Sequence, residues 1–310
     1  QRGDAPVGFV STNSITQGEQ VAQLWPLLFD RYKLEIAFAH RTFAWGSDAR
    51  GVAHVHVVII GLAKADAALG ERRLFSYDAI KGEPAETRHK ALAPYLFDAG
   101  GLADPHLVVK EESRPVNGMP KLIIGSKPID GGHYIFEADE RAEFLAKTPE
   151  AGPFMRPYVG SREYLNGGDR SILWLGEATP DTVRRSPALR SRVEAVQKVR
   201  EDSKSKPTQA LAQTPTLYHV NVIPKSPFLV IPEVSSERRE YVPIGWLEPP
   251  TIPSNLVRVL EKASRADFAL LTSAMHMAWL RHIGGRLKSD YRYSIGLVYN
   301  TFPLPPVSAE

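Results

Sequence analysis

The sequence predicts an α/β segment followed by an α+β domain. Three observations carry that expectation. Strand and helix signals alternate over the first 65 residues. Residues 116–250 are rich in Gly and Pro and hold short apolar runs. Helical patterning appears at 187–199 and again over 254–283.

Taken in order, Gly8-Phe9-Val10-Ser11 is a short strand. A helix is expected from Thr16 to Leu28, with Thr16 as its N-cap and Glu19 three residues on, the spacing of a capping box. Pro26 should kink or end it. Leu34–Ala39 and His54–Gly61 are two further strands, the latter rich in β-branched residues. Between them His40–Gly46 reads as a loop carrying Phe43 and Trp45. Strand, helix, strand, loop, strand makes one edge of a mixed sheet. Residues 66–115 are proline-punctuated and read as a connector, which leaves 116–310 as the second domain. Its short apolar runs include 122–124, 172–175, 217–223 and 228–231. Helices are expected over Glu137–Ala146, Pro187–Val199 and, as a pair, 254–283. The chain then turns at Gly284-Gly285 and ends in a strand-like stretch from Tyr293 to Tyr299.

Composition narrows the class. With 43% hydrophobic residues the chain can bury a core. It holds no cysteine, which removes disulfides and thiolate zinc sites and suits a reducing cytoplasm. The longest apolar stretch, Val55–Ala63, is too short to cross a bilayer, and the start of the chain has no signal-peptide pattern. Gln1 is not an initiator methionine, which points to a fragment or a processed chain. A formal charge of +3 is no argument for nucleic acid by itself, but basic residues are concentrated in two places. Residues 190–206 hold six (Arg190, Arg192, Lys198, Arg200, Lys204, Lys206) against three acidic ones, and residues 281–292 hold four (Arg281, Arg286, Lys288, Arg292) against one. Such runs either attract phosphate or form a solvated face.

Four constellations can carry chemistry, and each has a plainer reading. His54 and His56 share one strand face and suit a metal, but no third ligand is spaced nearby. Ser11, Thr12, Asn13 and Ser14 close a strand, either as an active-site rim or as local turn chemistry. Phe43 and Trp45, interleaved with Arg41 and Arg50, either stack on an unpaired base or belong to the core. In Arg286–Arg292, extended alternation puts Arg286, Lys288, Asp290 and Arg292 on one face and Leu287 and Tyr291 on the other. Lysine can donate to guanine O6 and N7, and aspartate can accept from cytosine N4, so Lys288 and Asp290 either read a G·C pair or form a surface ion pair. There is no P-loop, no GxGxxG after a strand, no GxSxG and no HExxH.

Laid end to end, these segments resemble one family. Phe9–Gln20 (FVSTNSITQGEQ) is similar to the segment that follows the catalytic Asn-Pro-Pro-Tyr/Phe motif in MmeI-like (type IIL) restriction-modification DNA methyltransferases. His40–Trp45 (HRTFAW), Asp48–Gly51 (DARG) and His54–Gly61 (HVHVVIIG) look like the next two strands of that catalytic sheet. Pro120–Gly132, Pro157–Ser161, Tyr164–Gly167, Val234–Gly245, Leu271–Trp279, Gly285–Ser294 and Tyr299–Pro303 resemble the family's DNA target-recognition domain, in order. The resemblance spans nearly the whole chain. It implies a partial methyltransferase sheet over 1–65 and a target-recognition domain over 116–310.

The resemblance implies a parent enzyme that transfers a methyl group from S-adenosylmethionine to adenine N6. The family's glycine-rich cofactor loop, its Asn-Pro-Pro-Tyr/Phe tetrapeptide and its endonuclease domain are upstream of the matched segments, so no catalytic residue and no cofactor are expected in these 310 residues, nor methyl transfer by them alone. The expected partners are double-stranded DNA and the upstream methyltransferase half, with no membrane. Lys288, Asp290 and Arg292 fall where the family's specificity residues lie. Lys127, Arg238, Arg239, Arg281 and Arg286 are candidates for the DNA backbone or for support, as are Ser273 and His276. Ser11, Asn13, Ser14, Phe43 and Trp45 are the expected active-site rim of the parent. Two other classes remain open: a metal-dependent hydrolase using His54, His56 and Asp48, and a protein-interaction module whose basic faces only solubilise it.

Overall fold

A computed structural model describes residues 7–45, 55–67, 69–79 and 81–304, and the chain divides into two units. The first comprises residues 1–119, 235–240 and 274–310. Its main sheet is formed by β1 (Val7–Thr12), β2 (Leu34–Trp45), β3 (Val55–Lys64), β4 (Arg72–Tyr77) and β5 (Pro84–His89), in the order β1-β3-β2-β4-β5. β3 pairs antiparallel with both β1 and β2. A strand covered on both faces needs a near-continuous apolar run, and Val57, Val58, Ile60 and Leu62 are accordingly buried. Gly61 is there for space, because a Cβ would meet the ring of its cross-strand partner Phe38 at 2.0 Å.

α1 (Glu19–Pro26) starts later than the capping-box spacing predicts. Thr16 is held in a preceding 3-10 turn, where its hydroxyl donates to the Asn13 carbonyl, and Gly18 caps the helix with φ 66°. Pro26 ends the α-helical ladder as expected, and the chain continues as a π turn over Leu27–Arg31. The expected aromatic loop is instead strand: β2 runs through to Trp45, in keeping with the β-propensity of Thr42, Phe43 and Trp45. The stretch read as a connector carries β4 and β5. β5 (PAETRH) has no apolar alternation and so resembles a loop, but its backbone pairs along all of β4 and Glu86 makes a two-pronged contact with Arg73.

The core of this unit joins Val21, Trp25 and Phe29 to Ile36, Ile60, Leu62 and Leu74, and Ile283 and Leu297 complete it. Trp25 is fully buried, and its indole N–H donates to the Ile15 carbonyl at 2.6 Å. Burying each such side chain contributes about 1.5–3 kcal/mol.

The second unit comprises residues 120–234 and 241–273. Its strands are β6 (Ile123–Ile124), β7 (Ile135–Glu137), β8 (Met155–Val159), β9 (Arg170–Leu173), β10 (Phe228–Pro232), β11 (Val234–Ser235, at the unit boundary), β12 (Gly245–Leu247), β13 (Ile252–Pro253) and β14 (Val257–Leu260). They form one sheet in the order β12-β10-β14-β6 and another in the order β13-β8-β9-β7. The helices α2 (Ala138–Lys147) and α5 (Pro187–Glu201) fall where the sequence predicts them, with α3 (Ser161–Asn166), α4 (Pro180–Arg185), α6 (Lys206–Ala210) and α7 (Arg265–Leu271) beside them. The first of the two helices expected over 254–283 begins only at Arg265, because Val257–Leu260 is a fully buried strand, and short apolar runs do not announce their period.

Arg200 on α5 is 0% exposed. Its guanidinium donates to five backbone carbonyls, those of Pro128, Ile129, Leu211, Thr214 and Leu217, at 2.8–3.0 Å. A buried cation is tolerable when its donors are satisfied, and here it pins two irregular segments to α5.

The chain then re-enters the first unit through α8 (Ala274–Ile283) and the hairpin of β15 (Gly285–Leu287) and β16 (Asp290–Arg292). The strand-like ending is not a strand: Ile295–Tyr299 is a π turn with Leu297, Val298 and Tyr299 buried.

Candidate nucleic-acid interface

Residues 286–292 do not form the single extended strand that alternation predicts. They fold back on themselves, with Leu287 opposite Asp290, Arg286 opposite Tyr291 and Gly285 opposite Arg292. Cross-strand partners share a face, so Asp290 and Arg292 lie together with Leu287 while Arg286 lies with Tyr291 on the other face. The Arg286 guanidinium sits 3.9 Å over the Tyr291 ring and donates to the Ser289 carbonyl, and burial lowers its pKa. Lys288 is exposed at the two-residue tip with φ 59°, a conformation that hairpin turns usually give to glycine.

A second segment joins this hairpin. The Glu237 N–H donates to Asp290 Oδ1 at 3.3 Å, and Arg281 Nη2 donates to the Glu240 carbonyl at 2.8 Å. The turn between those two anchors carries Arg238 and Arg239, both exposed. Residues about fifty positions apart in the sequence therefore present Arg238, Arg239, Lys288, Asp290 and Arg292 on one assembled edge of the first unit.

Two of the five expected rim residues, Asn13 and Ser14, line clefts shared with this hairpin. A cleft of about 320 Å³ is lined by Asn13, Gln17, Thr42 and Tyr77 on one side and by Glu237, Arg286 and Ser289 on the other. Ser14 lines a neighbouring cleft with Arg286 and Arg292. Ser11 is paired within β1 opposite Val58 and lines neither of these clefts. Phe43 stacks on Tyr77 at 5.1 Å, and Trp45 is 51% exposed beside it, so both lie outside the core. Their face continues through His40, whose ring stacks on Phe75 at 4.2 Å and whose Nδ1 meets the Tyr77 hydroxyl at 2.8 Å. Burial, and then Arg73, lower the His40 pKa. Tyr77 escaped the sequence reading because β4 lay inside the expected connector.

Other expectations are corrected. His276 does not face DNA: it is 1% exposed, its Nε2 meets the Tyr293 hydroxyl at 2.8 Å, and burial lowers its pKa to about 4. His276 lies in the first turn of α8, on the face that also buries Met277, Leu280 and Ile283. Four of the six cations in the basic run 190–206 have partners within the second unit, while Lys204 and Lys206 are exposed. Arg200 points into the second unit, and Arg192 stacks on Phe136 and Phe144 at 4.2 and 4.6 Å. Arg190 and Lys198 pair with the acids four residues on, Glu194 and Asp202. Lys127 is exposed in the second unit, on a segment whose backbone pairs with Val220 in both directions. Ser273 is half-buried between α7 and α8. His54, Asp48 and Arg50 lie outside the described residues, and among the described residues no cluster of three or more His, Asp or Glu is suited to a metal. Among them too, no helix is long and apolar enough to cross a membrane.

The family model of the MmeI target recognition domain matches residues 103–306. The chain belongs to the MmeI family. The model of the MmeI DNA-methyltransferase domain matches residues 1–76. DNA methyltransferase A of Bacillus subtilis (strain 168) is 39% identical over 307 residues. The solved type IIL restriction-modification enzyme MmeI, in complex with DNA, is 41% identical over 98% of the chain with a TM-score of 0.89. The chain spans 33% of the length of the Bacillus protein and 40% of the solved MmeI chain. The family boundaries and the two units differ in an informative way. Residues 274–306, matched as recognition domain, fold in the same unit as β1–β4, matched as methyltransferase.

Proposed function

We propose that this chain reads double-stranded DNA sequence-specifically, as part of a cytoplasmic S-adenosylmethionine-dependent DNA adenine-N6 methyltransferase of a restriction-modification system. The observation that carries the reading is the assembled edge: the Arg238-Arg239 turn and the Lys288 hairpin are tied together by Asp290 and Arg281, beside the cleft that holds Asn13. The DNA complex of the related MmeI supports it. Lys288, Asp290 and Arg292 read base edges in the major groove. Lys127, Arg238, Arg239, Arg281 and Arg286 hold or support the contact with the backbone, with Ser273 in a lesser role. Ser11, Asn13, Ser14, Phe43 and Trp45 form the active-site rim of the parent enzyme.

Lys288 and Asp290 divide one G·C pair between them, the lysine donating to guanine and the carboxylate accepting from cytosine N4. Asp290 accepts one backbone N–H, and a carboxylate has about four acceptor sites, so capacity remains for a base. Each good contact discriminates by about 1–3 kcal/mol. Residues 1–65 act as the end of the methyltransferase domain and 116–310 as its recognition domain, a division that the family matches over 1–76 and 103–306 support.

Among the described residues, those that follow β1 do not fit S-adenosylmethionine. The connection from β1 to α1, Asn13–Gly18, is made of Asn, Ser, Ile, Thr, Gln and a lone glycine, with no glycine-rich phosphate- or cofactor-cradling turn. No step through the cofactor is therefore assigned to this chain, and the upstream methyltransferase half of the parent supplies it.

Selection of bound duplexes from a randomised pool, sequenced at two salt concentrations, tests the reading. The expected result is a short enriched motif that changes at one base pair in Lys288→Ala. Absence of duplex binding at either salt would exclude it.

A further inference from the structure

Three guanidinium groups and one imidazole of the first unit line one cleft of about 370 Å³: Arg41 from β2, Arg281 and His282 from the end of α8, and Arg286 from β15. Thr42 and Tyr77 add hydroxyls to the wall, and no aspartate or glutamate is among the described residues that line it. Each guanidinium is anchored by a backbone carbonyl. Arg41 Nε donates to Leu96 at 2.8 Å, Arg281 Nη2 to Glu240 at 2.8 Å and Arg286 Nη1 to Ser289 at 3.1 Å. A guanidinium carries five N–H donors, so one anchor fixes the group and leaves donors for a ligand.

The cluster is electrostatically unfavourable as it stands. Burial lowers the His282 pKa, and Arg41, Arg281 and Arg286, which line the same cleft, lower it further. Burial also lowers Arg41 and Arg286. Glu237 offsets Arg286 in part, but it lines the adjoining cleft with Asp78. Like charges gathered in a partly desolvated cleft repel, and an anion removes the penalty.

We propose that this cleft binds a backbone phosphodiester of the DNA strand that passes the Lys288 hairpin, held by Arg41, Arg281 and Arg286. The proposal rests on the DNA-reading function above and extends it. Arg41 belongs to the methyltransferase match and Arg281 and Arg286 to the recognition match, so one phosphate fixes the strand to both at once.

The test uses the 310-residue chain and a duplex of fixed sequence, titrated from about 50 to 200 mM salt. Arg41→Gln should weaken binding to all sequences alike and lower the salt slope by about one unit, while Arg41→Lys should keep the slope. A scan of single neutral methylphosphonate linkages should find one position that weakens the unaltered chain and not Arg41→Gln. Should Arg41→Gln fail to fold, the linkage scan with the unaltered chain and Arg41→Lys decides alone. An unchanged slope in folded Arg41→Gln, or a linkage scan without a sensitive position, overturns the proposal. Inorganic phosphate that competes at constant ionic strength without any Arg41 effect on the DNA slope also overturns it, in favour of a small-anion site. Absence of duplex binding by the unaltered chain overturns the DNA-reading function and this proposal together.

Discussion

The basic helix α5 and the hairpin after α8 have similar charge in the sequence and opposite fates in the fold. In α5 the period of 3.6 residues turns Arg200 and Arg192 inward and sets Arg190 and Lys198 four residues from acids. In the hairpin, period-two alternation broken by a tight turn leaves Lys288, Asp290 and Arg292 on an edge, with Arg286 folded against Tyr291. Charge density along a chain therefore does not locate a nucleic-acid surface. What decides is where each cation finds its partner: a carbonyl, a ring, a neighbouring acid, or a ligand.

The contrast is sharpest at Arg200. Its replacement by Met leaves five carbonyls without their donor, and losing one side of a buried charged network typically costs about 3–5 kcal/mol. Urea unfolding of Arg200→Met should show a loss of that size. A loss below about 1 kcal/mol would mean that the carbonyls are satisfied in another way.

His276 gives the next effect, and it depends on pH. Its folded pKa of about 4 lies below the unfolded 6.5, so the unfolded chain binds the extra proton first. The stability that comes from keeping it neutral is present above pH 6.5 and is lost as pH falls through about 4, to the extent of about 3 kcal/mol. Denaturation profiles should fall over that window and be flatter in His276→Gln. An equal slope in both would remove His276 as the cause.

Much of this was legible beforehand. Strands β1 and β3 follow from their β-branched runs, and α2 and α5 from their apolar spacing. The motif Gly285–Ser294 is legible in the sequence, yet its geometry is not, because alternation alone cannot reveal a turn at Lys288, a residue type that rarely takes positive φ. The turn carrying Arg238 and Arg239 reaches the hairpin through two hydrogen bonds that no local pattern encodes. Tyr77 and the Arg41 cleft stayed hidden because polar β5 reads as a loop.

Smaller effects separate the two regions further. Lys288→Gly relaxes the turn, where a left-handed residue costs about 1–2 kcal/mol, partly offset by the entropy of the unfolded glycine. The variant should be about 0.5–1 kcal/mol more stable by thermal or urea unfolding and should lose discrimination at one base pair. A destabilised variant would contradict the strain. At the low end, Lys198→Gln should alter stability by less than about 0.5 kcal/mol and leave the salt slope of duplex binding unchanged, whereas Arg238→Gln should lower that slope by about one unit. Equal slopes for the two variants would erase the distinction between helix and hairpin.

The most direct measurement of the central claim is the base preference of the double variant Lys288→Asp, Asp290→Lys, selected from the same duplex pool as the unaltered chain. The account predicts that the preferred motif changes at one G·C pair and at no other position. A motif identical to that of the unaltered chain at every position would contradict it.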